Sequence, residues 1–273
     1  MKTMQHVVVI KTNSKTFSLN NFIIANIIFL WYLCTMFSKV IKCIVAAGAL
    51  LICQALPAQK FSIDGSVELY SAYIWRGDKV CGAQISPFVN FHYGAWTLQS
   101  FGFLAIDNSY KEIDWDLSYK YKDFSLHFAD YFYHGSAYTA PENYFNFKKG
   151  ESTHVLEGIV CYEPEKLPIA ARWFTFVFGS WLPSTGENAF SSYLELEAYH
   201  KFANAGKLSF FAGFSVFKGA YTGYKEDFYP IHLELRYTRD LDIAGAAVPV
   251  TASYTINPYA HTSYLNAGVG IRF

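Results

Sequence analysis

The sequence predicts an all-β fold: a single closed antiparallel transmembrane β-barrel of about 12 strands behind an N-terminal signal peptide. Three observations carry this. Long segments of alternating apolar and polar residues fill the chain beyond residue 60. Their connections alternate between tight turns and longer loops. The composition is rich in aromatics and poor in charge.

The alternation is clearest in EIDWDLSYKY, where Ile113, Trp115, Leu117, Tyr119 and Tyr121 share one face and Asp114, Asp116, Ser118 and Lys120 the other. PIHLELRYTR sets Ile231, Leu233, Leu235 and Tyr237 against His232, Glu234, Arg236 and Thr238. SYLELEAYHKF sets Leu194, Leu196 and Ala198 against Glu195, Glu197 and Tyr199. Period-2 patterning of this kind is a strand with two unlike faces. Such segments fall at 65–76, 83–93, 96–106, 111–121, 124–134, 152–163, 168–179, 191–203, 206–218, 229–240, 247–257 and 263–273. Most have 11 to 13 residues, against about 5–6 for a globular strand and about 9–11 for a strand that crosses a bilayer. Length therefore favours the membrane.

The connections agree. Gly94-Ala95, Lys122-Asp123 and Asn204-Ala205 are two-residue turns, whereas HGSAYTAPENYFNFKKGES, LPSTGENAF and GAYTGYKEDFY are long. Short periplasmic turns and longer outer loops are the habit of outer-membrane barrels. An even strand count returns both ends to one side, and closure removes the sheet edges that lipid cannot satisfy.

Composition explains where the apolar residues go. The chain is 52% hydrophobic and 19% aromatic, with 21 Tyr and 25 Phe, and only 16% charged. A soluble domain carries roughly 25% charged residues. An outer face turned to lipid absorbs the surplus of aromatics. The formal charge of zero averages two unlike pieces. Residues 1–58 contain Lys2, Lys11, Lys15, Lys39 and Lys42 and no acid, which leaves 17 basic against 22 acidic residues, a net charge of −5, in the rest. No basic run follows residue 58, so nucleic acid is not an expected partner.

Residues 36–58 read as a signal peptide: Lys39 and Lys42, an apolar run from Cys43 to Ile52, then Leu56-Pro57-Ala58 before the expected cleavage. Residues 1–35 read as an extra leader or as a start assigned too early, with Met36 the initiator. The barrel is expected over 59–273. Of five cysteines, Cys81 and Cys161 lie beyond the leader. Far apart in sequence, they are expected to be unpaired. No CxxC or Cys/His cluster points to a metal, and no cofactor is expected.

The final strand, YLNAGVGIRF, places Leu265, Ala267, Val269, Ile271 and Phe273 on one face and Tyr264, Asn266, Gly268, Gly270 and Arg272 on the other. It must pair with the first strand to close the barrel. An aromatic terminal strand also resembles the signal read by the outer-membrane insertion machinery. Tyr264, Leu265, Val269, Ile271 and Phe273 are the residues expected to carry it.

LYSAYIWRGD, then ISPFVNFHYGAW and EIDWDLSYKY, resemble the TorF-type porin family of small outer-membrane barrels. Tyr73-Ile74-Trp75-Arg76-Gly77 matches that family's strand-one motif, and Gly94-Ala95-Trp96 its next hairpin. The resemblance covers about residues 65–135. It implies an outer-membrane barrel that passes small solutes.

Inner-face alternation nominates Glu68, Asp114, Asp116, Glu157, Glu195, Glu197 and Glu234 with Arg76, Lys120, Arg172, Lys201, Arg236 and Arg272. Charges in such a lumen must be paired or hydrated. The expected function is passive diffusion of small hydrophilic solutes or ions, with Glu68, Arg76, Asp114, Asp116, Lys120, Glu195, Glu197, Glu234 and Arg236 lining the path. The alternatives are a charge-paired plug, a pocket lined by Phe174, Phe176 and Phe178, an adhesion role for PENYFNFKKG, and a lipid hydrolase. For the last, His261-x-Ser263 is the candidate, with His200 and His232 elsewhere. The carboxylate pairs Asp114/Asp116 and Glu195/Glu197 would more simply line a wet face. No GxSxG is present, and no catalytic residue is expected. Trp75, Trp96 and Trp181 are expected at the membrane interfaces.

Overall fold

The computed structural model describes residues 60–135, 143–182, 184–203 and 205–273. The expected leader and signal peptide lie outside the described residues, as does part of the loop after Gly135. The alternating segments form the wall of a closed barrel. Its strands are β1 (Phe61–Tyr70), β4 (Gln84–Tyr93), β5 (Trp96–Ala105), β6 (Tyr110–Tyr121), β7 (Phe124–Gly135), β8 (His154–Tyr162) and β9 (Ile169–Phe178). The wall continues through β10 (Ser192–Phe202), β11 (Gly206–Val216), β12 (Phe228–Ile243), β13 (Ala246–Asn257) and β14 (Thr262–Arg272). β2 (Tyr73–Trp75) and β3 (Asp78–Cys81) form a separate hairpin.

Neighbours in the wall are antiparallel, and β1 closes it. It pairs with β4 from Phe61↔Tyr93 to Tyr70↔Gln84, and with β14 from Ser66↔Arg272 to Tyr70↔Gly268. Beyond β14, Phe273 and Gly65 exchange two backbone hydrogen bonds of 3.0 and 3.1 Å. Gly268 is needed at this seam, because a Cβ there would lie 2.3 Å from the ring of Tyr70.

Exposure separates the two faces. On β6, Ile113, Leu117 and Tyr121 are 44, 46 and 62% exposed, whereas Glu112 and Asp114 are 5 and 0%. Leu265, Val269, Ile271 and Phe273 are likewise exposed on the outside, and Tyr264 falls on the opposite face of β14. Leu98, Leu117 and Leu235 are exposed in mid-strand, as are Phe128, Phe210 and Tyr254. Tyr93, Trp96, Tyr121, Phe124, Tyr162 and Phe202 are exposed at the first or last residue of a strand, all at the turn end. Trp96 meets Tyr119, and Phe124 meets Tyr162, with ring centroids 4.8 Å apart. Such a ring of aromatics marks where a barrel passes from apolar to polar surroundings.

The tight turns 94–95, 122–123 and 244–245 lie at this end with 163–168. The other end carries 71–83, 106–109, 143–153, 179–182, 184–191, 217–227 and 258–261.

One strand departs from expectation. The segment 65–76 was expected in the wall, but β1 ends at Tyr70. Ser71 N–H donates to Ala267 O at 2.8 Å, and Asn266 Oδ1 accepts from Ser71 Oγ and Ala72 N at 2.8 and 3.0 Å. The chain then turns inward. Arg76 and Gly77 have φ of 48° and 92°, the left-handed pair that a two-residue hairpin turn demands, and Trp75 pairs with Asp78. Alternation continues through this hairpin, so the pattern alone does not distinguish it from wall. Trp75 is therefore inside the barrel rather than at an interface.

The apolar core also lies inside. Ala129, Tyr131, Ile159, Cys161 and Phe176 pack with Trp75, Phe174 and Tyr221. Cys81 packs with Tyr73 and Ala105. Both cysteines are free and buried.

Candidate functional site

The hairpin brings a cation across the bore. Counted round the wall, β9 is the sixth strand from β1 in either direction, so it faces the hairpin's root. Arg76, at the hairpin tip, reaches that far side. Its Nη1 and Nη2 donate to Glu157 Oε1 and Oε2 on β8, each at 2.7 Å. The guanidinium carbon lies 4.2 Å from the ring centroid of Phe174 on β9 and 4.9 Å from that of Tyr193 on β10. Tyr131 on β7 donates to Glu157 Oε2 at 2.8 Å, and Arg76 also bonds the hydroxyl of Tyr221. Arg76 and Glu157 are 9% and 0% exposed. A planar fork on a carboxylate, enclosed by ring faces, is the geometry in which arginine is hardest to replace.

Gly77 makes this approach possible. A Cβ there would lie 2.1 Å from Ile231 O on β12. Beside it, Asn257 on β13 donates to Asp78 at 2.8 Å. The hairpin thus meets β5, β6, β8, β9, β10, β12 and β13 and narrows the lumen towards the loop end.

On the turn side of the hairpin lies a cavity of about 580 Å³. Glu68, Glu234, Arg236, Asp240 and Arg272 line it, with Tyr70, Tyr73, Phe88, Phe101 and Phe103. Both signs of charge are present, and they are paired. Arg236 donates twice to Glu234 at 2.7 Å, and His232 Nε2 lies 3.0 Å from the same carboxylate. Arg272 reaches Asp240 at 2.7 Å. Glu68 accepts from Ser66 at 3.0 Å and from Tyr70.

Across the lumen, Arg172 contacts Glu163, Glu195 and Glu197 at 2.6, 3.0 and 2.8 Å, and Lys207 joins Glu197 at 3.0 Å. Charges sunk in a low-dielectric wall persist when each has a partner and a hydrogen bond. Lys120 and Lys201 are exposed near the turn end.

Asp114 faces inward but has no exposed surface. Glu112, two residues away on the same face, and the backbone of Phe132 lie against its carboxylate. Asp114 does not form a unit with Asp116. That residue lies nearer the turns, 3.0 Å from His127 Nδ1. His127 Nε2 in turn lies 2.9 Å from Ser125 Oγ. Alternation alone does not single out Ser125 and His127. The signal was FSLHF, a Ser-x-His pair on one strand face opposite an acidic strand.

Phe174 and Phe176 face inward against the hairpin, whereas Phe178 stacks edge-on to Trp181 at 5.0 Å. His261 lies in the β13–β14 loop with φ of 55°, Ser263 sits on the outward face of β14, and no hydrogen bond joins them among the described residues. His232 belongs to the Glu234 network, and the His200 ring lies against Phe202 at 4.6 Å. The described part of PENYFNFKKG folds against the wall. His154 Nε2 contacts Tyr144 O at 2.6 Å, and its ring stacks on Phe147 at 4.1 Å.

No protein family and no curated protein matches the chain. Among solved structures it is similar to an outer membrane channel from Pseudomonas putida F1, at 12% identity and a TM-score of 0.41 over 80% of this chain and 96% of that one. It is also similar to Salmonella typhi OmpF in complex with daunomycin, at 10% identity and a TM-score of 0.34 over 79% and 97%. These likenesses are weak, and the description as a closed twelve-stranded barrel rests on the chain's own strand register.

Proposed function

We propose that this chain is an outer-membrane β-barrel that admits small hydrophilic solutes or ions by passive diffusion, through a lumen narrowed by the β2–β3 hairpin. One contrast carries the reading. The outer face is apolar with an aromatic ring at the turn end, while the inner face holds a polar cavity and a run of ion pairs. Water on the inside and lipid on the outside suit both surfaces at once. A soluble barrel would reverse that preference. The same reading makes Glu68, Asp116, Lys120, Glu195, Glu197, Glu234 and Arg236 lining residues on the turn side. Arg76 becomes the constriction itself, and Asp114 part of the packing beneath it. Lipid is the partner of the outer face. The insertion machinery would read Tyr264, Leu265, Val269, Ile271 and Phe273, and residues 36–58 would direct export. A relationship to the TorF-type porins is part of this proposal.

A second reading has its own support. Arg76 is sealed on all sides, so the hairpin also suits a non-conducting structural barrel. Single-channel recording of the folded barrel in a planar bilayer separates the two. Discrete steps that scale with salt, enlarged by Glu157→Gln, are expected. A folded barrel that stays silent in both forms sinks the channel reading.

A further inference from the structure

The turn side of the lumen holds an arrangement that diffusion does not need. Asp116 on β6 and Ser125 and His127 on β7 all point inward. Ser125 Oγ lies 2.9 Å from His127 Nε2, and His127 Nδ1 lies 3.0 and 3.2 Å from the two oxygens of Asp116. A carboxylate only accepts, so Nδ1 carries the proton; when the ring is neutral, Nε2 presents its lone pair to the serine hydroxyl. That is the order of contacts by which a serine is activated: hydroxyl to base, base to orienting carboxylate.

The three residues are within reach of solvent. Ser125 is the second residue of β7, next to the turn 122–123, and the His127 and Asp116 side chains are 26% and 15% exposed. Lys120 is the register partner of Ser125 and points to the same side. Side chains so paired are about 5 Å apart at Cβ. Lys120 is exposed and has no ion-pair partner among the described residues, so its ammonium is free to face an oxyanion forming beside Ser125.

We propose that Ser125, His127 and Asp116 form a hydrolytic centre for small water-soluble carboxylic esters, entered from the turn end of the lumen. Ser125 Oγ bonds to the ester carbonyl carbon as His127 Nε2 takes the hydroxyl proton, and the carbonyl electron pair moves to oxygen beside Lys120. The carbon–oxygen bond to the alcohol then breaks, and the alcohol leaves with the proton from His127. Water adds to the acyl-serine as His127 takes its proton. The acid leaves and the proton returns to Ser125. The sum is ester plus water giving acid plus alcohol. Ser125 and His127 are catalytic residues, and Asp116 is a positioning residue.

The test uses the full chain, extracted in folded form from an outer membrane, with a fluorophosphonate probe and with p-nitrophenyl acetate. Expected are probe addition to Ser125, located by peptide mass spectrometry, and hydrolysis reduced at least ~100-fold by Ser125→Ala and by His127→Gln. The double variant should be no worse than either single one. Asp116→Asn should displace the pH–rate profile, which loss of packing alone would not do. An unlabelled Ser125 in the folded wild-type barrel overturns the proposal without reference to any variant. So does hydrolysis indifferent to Ser125→Ala, or labelling on Cys161 instead.

Discussion

Arg76 crosses the bore to Glu157: its two terminal nitrogens meet the two carboxylate oxygens at 2.7 Å, on the side of the barrel away from the strand that launches the hairpin. Both groups are buried, so the pair holds only while it is complete. Removing one partner of a buried pair costs about 3–5 kcal/mol, because the other charge is left behind. Arg76→Met and Glu157→Gln should each lower the unfolding free energy of the barrel in lipid, read from urea titration, by that order. Arg76→Met with Glu157→Gln should recover part of the loss. A double variant as unstable as the sum of the singles would mean that the two residues act independently.

Gly77 sets up a second test of the same hairpin. Its φ of +92° and the Ile231 carbonyl, 2.1 Å from any Cβ, leave no room for alanine. Gly77→Ala should cost at least ~1–3 kcal/mol in backbone strain and enlarge single-channel conductance as the tip leaves its seat. Gly82→Ala, with nothing within 4 Å of an added Cβ, should change neither. Equal behaviour of the two variants would mean that the hairpin tip does not set the constriction.

Much of the wall was legible in the sequence because a strand with lipid on one side and water on the other must alternate along its whole length. Trp96 and Tyr121 fall at strand ends, as the turn residues beside them imply. The hairpin was not legible. Tyr73-Ile74-Trp75 alternates like wall, and only the left-handed pair Arg76-Gly77 turns it inward. Partner choice was equally hidden. Arg76 and Glu157 are 81 residues apart, and alternation assigns both to the inner face without saying that they meet. Asp114 and Asp116 look equivalent on one face, but distance from the hairpin leaves the first fully buried and the second 15% exposed at its side chain.

The outer face gives a depth-dependent prediction. Leu235 is 50% exposed midway along β12, and Tyr121 is 62% exposed at the turn end of β6. Arginine on a lipid-facing barrel position costs about 2–4 kcal/mol at the midplane and about 0–1 near the interface. Leu235→Arg should therefore sharply reduce the heat-modifiable folded band on gels, and Tyr121→Arg should barely alter it. Similar losses at both positions would contradict a bilayer around this barrel.

Charge in the cavity should set ion preference. Arg236 offsets Glu234, and both line the same space. In a potassium chloride gradient, Arg236→Gln should move the reversal potential towards cations and Glu234→Gln towards anions. Partial screening at ~0.1 M salt, where the Debye length is about 10 Å, leaves an effect that should grow as salt falls. Unchanged potentials in both variants would place the conducting path away from the cavity.

Cys81 offers a direct reporter of the hairpin. It ends β3, free and buried against Tyr73 and Ala105, so a maleimide should reach it only after the hairpin moves. With Cys161→Ala as background, labelling of the folded barrel should be slow and should accelerate in Glu157→Gln and Gly77→Ala. Urea-unfolded protein sets the upper limit. The measurement is independent of conductance and therefore divides two outcomes that recording alone would confuse. A silent barrel with a protected thiol has its hairpin seated, whereas a silent barrel with a reactive thiol is blocked by something else. Rapid labelling of the unmutated barrel would mean that Arg76 does not hold the hairpin across the bore in solution.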